Sequence, residues 1–220
     1  MPYRQVGSHD SCGAVMDIKK EYLIPGVVAY YDVMKSPQDF ISDVEGLVEI
    51  KNLSWTPGTI RDANDNPETS NQISNSIREV ETIGLPPFDR VPALKESANG
   101  PGLMLHEHLN QTVFPVARDY AIEHGIFGYA NGENWQILKY GAGHHFDNHV
   151  DDSKSYPRTF SISYYLNDDY EGGEIEFPRF GLKIKPVANQ AIVFPANYVY
   201  NHKIYPVTKG TRYTIVNWFE

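Results

Sequence analysis

The feature that most constrains the fold is a change of rhythm after Gly132. From there to the end, short strand-like runs follow one another at 135–140, 159–166, 174–177, 182–184, 191–194 and 212–218. Asn167-Asp168-Asp169 and Glu171-Gly172-Gly173 punctuate them, and the glycines suit turns that need a positive φ. Closely spaced strands separated by turn residues specify a sandwich, barrel or jelly roll. The 15 tyrosines and 10 phenylalanines fit such a pleated, half-buried surface.

The first part of the chain reads differently. Residues 27–33 form a strand pattern, and Ser36-Pro37 then opens a helix whose apolar face is Phe40, Ile41, Val44, Leu47 and Val48. A second helical stretch begins at Asn99-Gly100-Pro101. It carries Leu105, Leu109, Val113, Val116 and Tyr120 on one face and ends at Gly125. Pro115 should kink it or split it in two. His106, His108 and His124 ride on this segment as helix residues, not as metal ligands. The polar stretch 56–72 reads as a long loop, either a lid over a substrate or plain surface. The expected organisation is a single domain, 1–220. Its residues 1–133 supply helices and strands that support a β-rich catalytic half, 134–220.

Charge and cysteine usage exclude several function classes. A net charge of −9 disfavours nucleic-acid binding, which needs clustered Lys and Arg, and Lys183-Ile184-Lys185 is too small a block. Cys12 is the single cysteine, so no intramolecular disulfide forms, and it reads as an inert thiol. The start, Met1-Pro2-Tyr3-Arg4, lacks the apolar run of a signal peptide, and no stretch reaches the roughly 18 apolar residues of a spanning helix. These features lead to the expectation of a cytoplasmic protein with no membrane partner.

The chemistry concentrates in the string Tyr140-Gly141-Ala142-Gly143-His144-His145-Phe146-Asp147-Asn148-His149-Val150-Asp151. His149 and Asp151 stand two apart, so in a strand both side chains aim at one face. His202 follows 53 residues after His149, and Arg212 lies ten residues further on. Two histidines and one carboxylate form the facial ligand set that leaves positions open on a non-haem Fe(II), and the lack of thiolates argues against structural zinc. His-x-Asp by itself is a weak signal among eight histidines. His144 and His145 fall outside the ligand positions. Asp152 reads as a solvated carboxylate, and Asp147 as that or as a partner holding a ligand histidine.

Agreement over a longer stretch strengthens the signal. Tyr140, Gly143, Phe146, His149 and Asp151 are followed by Arg158, Tyr164-Tyr165-Leu166-Asn167, Glu171-Gly172-Gly173-Glu174, Phe177-Pro178, Pro186 and Phe194. His202, Pro206-Val207, Gly210, Arg212 and Trp218 complete the pattern. Over residues 134–219 the chain resembles the catalytic domain of the prolyl 4-hydroxylase family of Fe(II)/2-oxoglutarate-dependent dioxygenases. The resemblance implies a mainly β protein with flanking helices around a double-stranded β-helix (jelly-roll) core. It implies His149, Asp151 and His202 as iron ligands and Arg212 as the partner of the distal carboxylate of 2-oxoglutarate. It also implies Tyr165 and Tyr140 in the co-substrate pocket, Trp218 as a wall near the metal, and ascorbate as an accessory reductant. The implied reaction is C–H hydroxylation of a prolyl residue in a peptide or protein, using O₂ and 2-oxoglutarate and releasing succinate and CO₂. Other amino acids and small metabolites stay open as substrates.

Competing readings fit less well. A nucleobase demethylase of the AlkB type would call for a second arginine at position 218, where this chain has Trp218. A halogenase of this fold would lack the carboxylate that Asp151 supplies. A non-catalytic jelly-roll binding module, or a cupin-type metal isomerase or hydrolase, leaves Arg212 and the pocket tyrosines without a purpose.

Overall fold

The computed structural model describes residues 19–60, 74–85, 100–127 and 132–220. Cys12 lies outside the described residues, as do Asn99 and most of the loop foreseen at 56–72. Two antiparallel sheets face each other. The larger has eight strands, ordered Lys20–Ile24, Val27–Tyr31, Gln190–Pro195, Phe160–Tyr165, Arg212–Phe219, Gln136–Tyr140, Glu81–Gly84 and Thr56–Pro57. The smaller has five, ordered Leu182–Ile184, Ile175–Phe177, His202–Ile204, His145–His149 and Arg78–Glu79. A two-stranded ribbon, Glu171–Gly172 with Val207–Lys209, closes one end. This is the jelly-roll arrangement that the resemblance implied, one of the three architectures the strand rhythm left open.

Alternation along each strand of the larger sheet divides its side chains between two cores. Tyr30, Ile137, Ile162, Tyr164, Val193 and Ile215 face the helices, where they bury against Leu109, Val116 and Tyr120. Their neighbours Leu138, Tyr140, Tyr165, Ile192, Phe194 and Val216 face inward and meet Ile175, Phe177 and Ile204 of the smaller sheet. The helices therefore cover one face of the sheet, as the sequence implied, and the inter-sheet space is left for the site.

Three helices form that cover: α1, Pro37–Glu49; α2, Gly100–Thr112; and α3, Phe114–Glu123. The break between α2 and α3 falls at Val113, with Pro115 in the first turn of α3, where its missing N–H costs nothing. Ser36 occupies the cap position of α1, but its side chain makes no capping hydrogen bond. Glu45 of α1 accepts from Lys139 Nζ at 2.8 Å and from the Tyr213 hydroxyl at 2.6 Å, fastening the helix to the sheet. Lys20 bridges Asp119 and Glu123 of α3, each at 2.7 Å. No helix among the described residues is long and apolar enough to cross a membrane.

The structure corrects the strand pattern in several places. The predicted strand 27–33 stops at Tyr31, because Asp32 turns to a positive φ of 57°. Lys20–Ile24, unforeseen, pairs with it as a hairpin through Gly26, where φ is 79°. Thr56–Pro57 is a short strand beside Glu81–Gly84, so the loop begins later than expected. His145–His149 and His202–Ile204, both too polar to read as strands, are held by cross-strand pairing.

Candidate metal centre

Strand register within the smaller sheet builds the site. His202 lies directly across from His149 on adjacent antiparallel strands. Asp151 follows two residues beyond His149, just past the strand end. The ligand atoms of all three residues lie within 4.8 Å of one another. His149 Nε2 is 3.5 Å from Asp151 Oδ1, and His202 Nε2 is 3.8 Å from Asp151 Oδ2.

Backbone carbonyls orient both imidazoles. His149 Nδ1 sits 2.8 Å from the Asp147 carbonyl, and His202 Nδ1 sits 3.1 Å from the Tyr200 carbonyl. A carbonyl only accepts, so Nδ1 carries the proton in each ring and Nε2 offers its lone pair to the shared space. The sequence reading left Asp147 as a solvated carboxylate or as a partner to a ligand histidine, and the side chain is indeed exposed. The main-chain oxygen of Asp147 holds the ligand histidine, and its carboxylate lies 3.9 Å from His145. Phe146 stacks on His149 with ring centroids 3.5 Å apart, while Phe194 meets His202 edge-on at 4.7 Å.

Asp151 is anchored from two sides. The Ser161 hydroxyl donates to Oδ2 at 2.6 Å, and Arg158 Nη1 donates to the Asp151 carbonyl at 3.0 Å. Arg158 is itself clamped by Glu133 and lies 4.0 Å over the Trp218 ring. Burial alone would raise the Asp151 carboxyl, but His202, His149 and the Ser161 hydroxyl together hold it well below the usual carboxylate range. Burial and the neighbouring His149 push His202 down to about 4, against the pull of Asp151. A neutral imidazole beside an ionised carboxylate is the protonation state a divalent metal needs.

The deeper wall is set by the Arg212–Phe219 strand. Arg212, Thr214, Val216 and Trp218 alternate onto the inner face and line one cavity with Tyr140 and the triad. The space measures about 430 Å³ including its mouth. Arg212 is 1% exposed, and its guanidinium lies 4.6 Å from the Tyr140 ring and 5.0 Å from that of Tyr165. Burial would lower its pKa, yet Tyr165, Tyr170 and Tyr140 around it raise it. Tyr165 stands behind Arg212 rather than on the cavity wall itself.

Among the described residues five buried polar atoms here find no well-formed hydrogen bond: Arg212 Nε and Nη1, Thr214 Oγ1, and the hydroxyls of Tyr165 and Tyr170, which interact with Arg212 itself. Such orphans are costly and rare in a folded interior. A carboxylate, with lone pairs to accept from several donors at once, fits that cluster. The His–Asp–His donor set likewise fits a hard-to-borderline divalent ion such as Fe(II).

All seven residues singled out by sequence therefore converge on this region. Sequence reasoning missed Ser161, Thr214, Tyr170 and Arg78. Thr214 was legible, standing two residues from Arg212 on the same strand face. Ser161 could be read from the small polar residues alternating at 161 and 163. Arg78 gave no local signal, because only strand pairing with Phe146 brings it to the cavity.

Comparison with known proteins agrees with this geometry. Residues 135–220 match the model of the 2OG-Fe(II) oxygenase superfamily. A PKHD-type hydroxylase of Prochlorococcus marinus is 32% identical over 108 residues, covering 48% of this chain and 47% of that protein. Probable prolyl 4-hydroxylase 9 of Arabidopsis thaliana is 30% identical over 118 residues, covering 40% and 41%. The chain thus spans less than half the length of these curated relatives. Among solved structures, a Trichoplax adhaerens prolyl hydroxylase in complex with a hypoxia inducible factor peptide superposes with a TM-score of 0.66. It shares 17% identity and covers 88% of this chain and 83% of its own. A Pseudomonas putida prolyl-4-hydroxylase gives 0.55 at 17% identity, covering 89% and 92%. The segment that carries the triad and Arg212 is the one that matches the 2OG-Fe(II) oxygenase superfamily model, residues 135–220, and the relatives it resembles there include PKHD-type and prolyl hydroxylases.

Proposed function

We propose that the protein is an Fe(II)- and 2-oxoglutarate-dependent dioxygenase that hydroxylates a C–H bond of a prolyl residue in a peptide or protein. The observation that carries this reading is the meeting of two unlike sites in one cavity. A two-histidine, one-carboxylate cluster lies at one end, and a buried guanidinium with unpaired donors lies at the other. In this reading His149, Asp151 and His202 hold the iron. Arg212 grips the distal carboxylate of 2-oxoglutarate, aided by the hydroxyls of Tyr165 and Thr214, and Tyr140 packs alongside. Trp218 closes the wall beside Arg158. Iron held there with 2-oxoglutarate would activate O₂, the oxidant, one oxygen atom going to the hydroxylated carbon and the other to succinate as 2-oxoglutarate loses CO₂. The chain's own contribution is orientation of the ligands and exclusion of water by the apolar inter-sheet walls.

A prolyl substrate rests on the company the chain keeps: a Trichoplax relative of the same fold is a prolyl hydroxylase that holds a peptide. The single-domain organisation, with residues 1–133 supporting a catalytic half at 134–220, belongs to the same proposal, as does a role for ascorbate as reductant. Anaerobic titration with Fe(II) and then 2-oxoglutarate tests the core of it. A visible charge-transfer band, absent in His149→Ala, is the expected result. No band in the wild-type protein would sink the oxygenase reading and favour a binding module of this fold.

A further inference from the structure

A second arginine reaches the cavity that the roles above leave unused. Arg78 sits on a two-residue edge strand of the smaller sheet, paired with Phe146. It is 9% exposed and lines the same cavity as the triad. Nη1 donates to the Thr59 carbonyl at 2.7 Å, which fixes the guanidinium plane. Phe146, which stacks on His149 at 3.5 Å, holds that guanidinium 4.8 Å from its own ring centre. Nε is buried and has no hydrogen-bond partner, and no carboxylate among the described residues pairs with this cation.

Charge balance says what such a group is for. Among the described residues that line the cavity, only Asp151, Arg212 and Arg78 carry formal charge. With a divalent ion, the Asp151 carboxylate leaves one positive charge at the metal, and Arg212 adds another. Those two match the two carboxylates of 2-oxoglutarate. Among the described residues Arg78 is then a buried cation without a counter-charge, whose desolvation is costly unless a further anion arrives. A planar guanidinium, tethered and stacked, is suited to a carboxylate.

We propose that Arg78 recognises a carboxylate of the primary substrate. The substrate would carry it within a few bonds of the carbon to be hydroxylated, because only Phe146 separates Arg78 from the metal ligand His149. A free amino acid or a C-terminal prolyl residue has this chemistry; a prolyl residue deep within a neutral peptide does not. The inference rests on the proposed dioxygenase reading and deepens it.

The test uses the full chain loaded anaerobically with Fe(II) and 2-oxoglutarate. Matched acid and amide probes are titrated in: L-proline against L-prolinamide, and glycyl-L-proline against its amide. The readout is the perturbation of the charge-transfer band, which does not need turnover. We expect at least one acid to perturb the band at tenfold or more lower concentration than its amide, and Arg78→Gln to erase that preference while 2-oxoglutarate affinity stays within about twofold. Equal response of acid and amide in both pairs overturns the proposal, as does the absence of any response. A drop in 2-oxoglutarate affinity in Arg78→Gln also overturns it, by moving Arg78 to the co-substrate. Failure of the band to form at all defeats the dioxygenase reading instead, so the two failures are distinct. If Arg78→Gln does not fold, Arg78→Lys must weaken acid binding without affecting the amide.

Discussion

Replacing Arg212 with methionine should separate function from stability in opposite directions. In the ligand-free protein Arg212 is a buried cation at 1% exposure with Nε and Nη1 unpaired, so it is a liability there. Exchanging a poorly satisfied buried charge for an apolar side chain of similar length is neutral or stabilises by ~1–4 kcal/mol. Cation–π contact with Tyr140 and Tyr165, worth about 1–2 kcal/mol, offsets part of that gain. The ligand-free Arg212→Met protein should therefore melt within a few degrees of wild type or above it.

Co-substrate binding behaves in the reverse way. A carboxylate accepting two charge-assisted bonds from the guanidinium loses ~3–5 kcal/mol when that partner goes, roughly a 100- to 3000-fold rise in Kd. At 100 times the wild-type Kd, 2-oxoglutarate should stabilise wild type by about 2.7 kcal/mol, or about 5–10 °C for a chain this size. Arg212→Met should show almost none of that shift at the same concentration. Thermal melts with Mn(II) as a redox-silent metal, with and without 2-oxoglutarate, read both effects in one experiment. A variant that melts far below wild type without ligand, or one that keeps the ligand-induced shift, would refute the assignment of this pocket.

Three further outcomes follow from particular contacts. Ser161→Ala removes the 2.6 Å bond that steers Asp151 Oδ2, and metal affinity should fall about 10- to 100-fold in a Mn(II) titration while circular dichroism is unchanged. Glu45 is set below its ordinary pKa: burial opposes this, but Lys139, Tyr213 and Trp55 outweigh it. Its stabilising contribution is thus present above the unfolded carboxylate value and lost as pH falls through the lower folded value. Glu45→Gln should cost about 1 kcal/mol near neutral pH and make the acid limb of a Tm-versus-pH curve shallower; an unchanged limb would remove Glu45 from that role. Gly172 holds a φ of 72°, and an added Cβ would meet the Pro206 carbonyl oxygen at 2.2 Å. Gly172→Ala should therefore destabilise by ~1–3 kcal/mol in urea unfolding, and a neutral result would mean the ribbon is not clamped there.

How far the sequence reaches can be judged residue by residue. Strand rhythm after Gly132 and the Pro115 break between α2 and α3 are local signals, set by side-chain shape and backbone sterics over a few residues, and they survive in the structure. His149 and Asp151 are two apart, so their shared aim also follows from local geometry. His202 and Arg212 were legible only through the resemblance that the longer motif carries, since nothing local marks either one. Tertiary structure decided what locality cannot encode. Pairing between distant strands of the smaller sheet made strands of the polar runs at 145–149 and 202–204, and set His202 opposite His149. It assigned Asp147's carbonyl, not its carboxylate, to hold a ligand histidine. It brought Arg78 from a distant edge strand to the cavity mouth, stacked on Phe146. Periodicity reports which face a side chain occupies; only the register between distant strands determines which side chains meet, because that choice is made by the summed packing of the whole sheet.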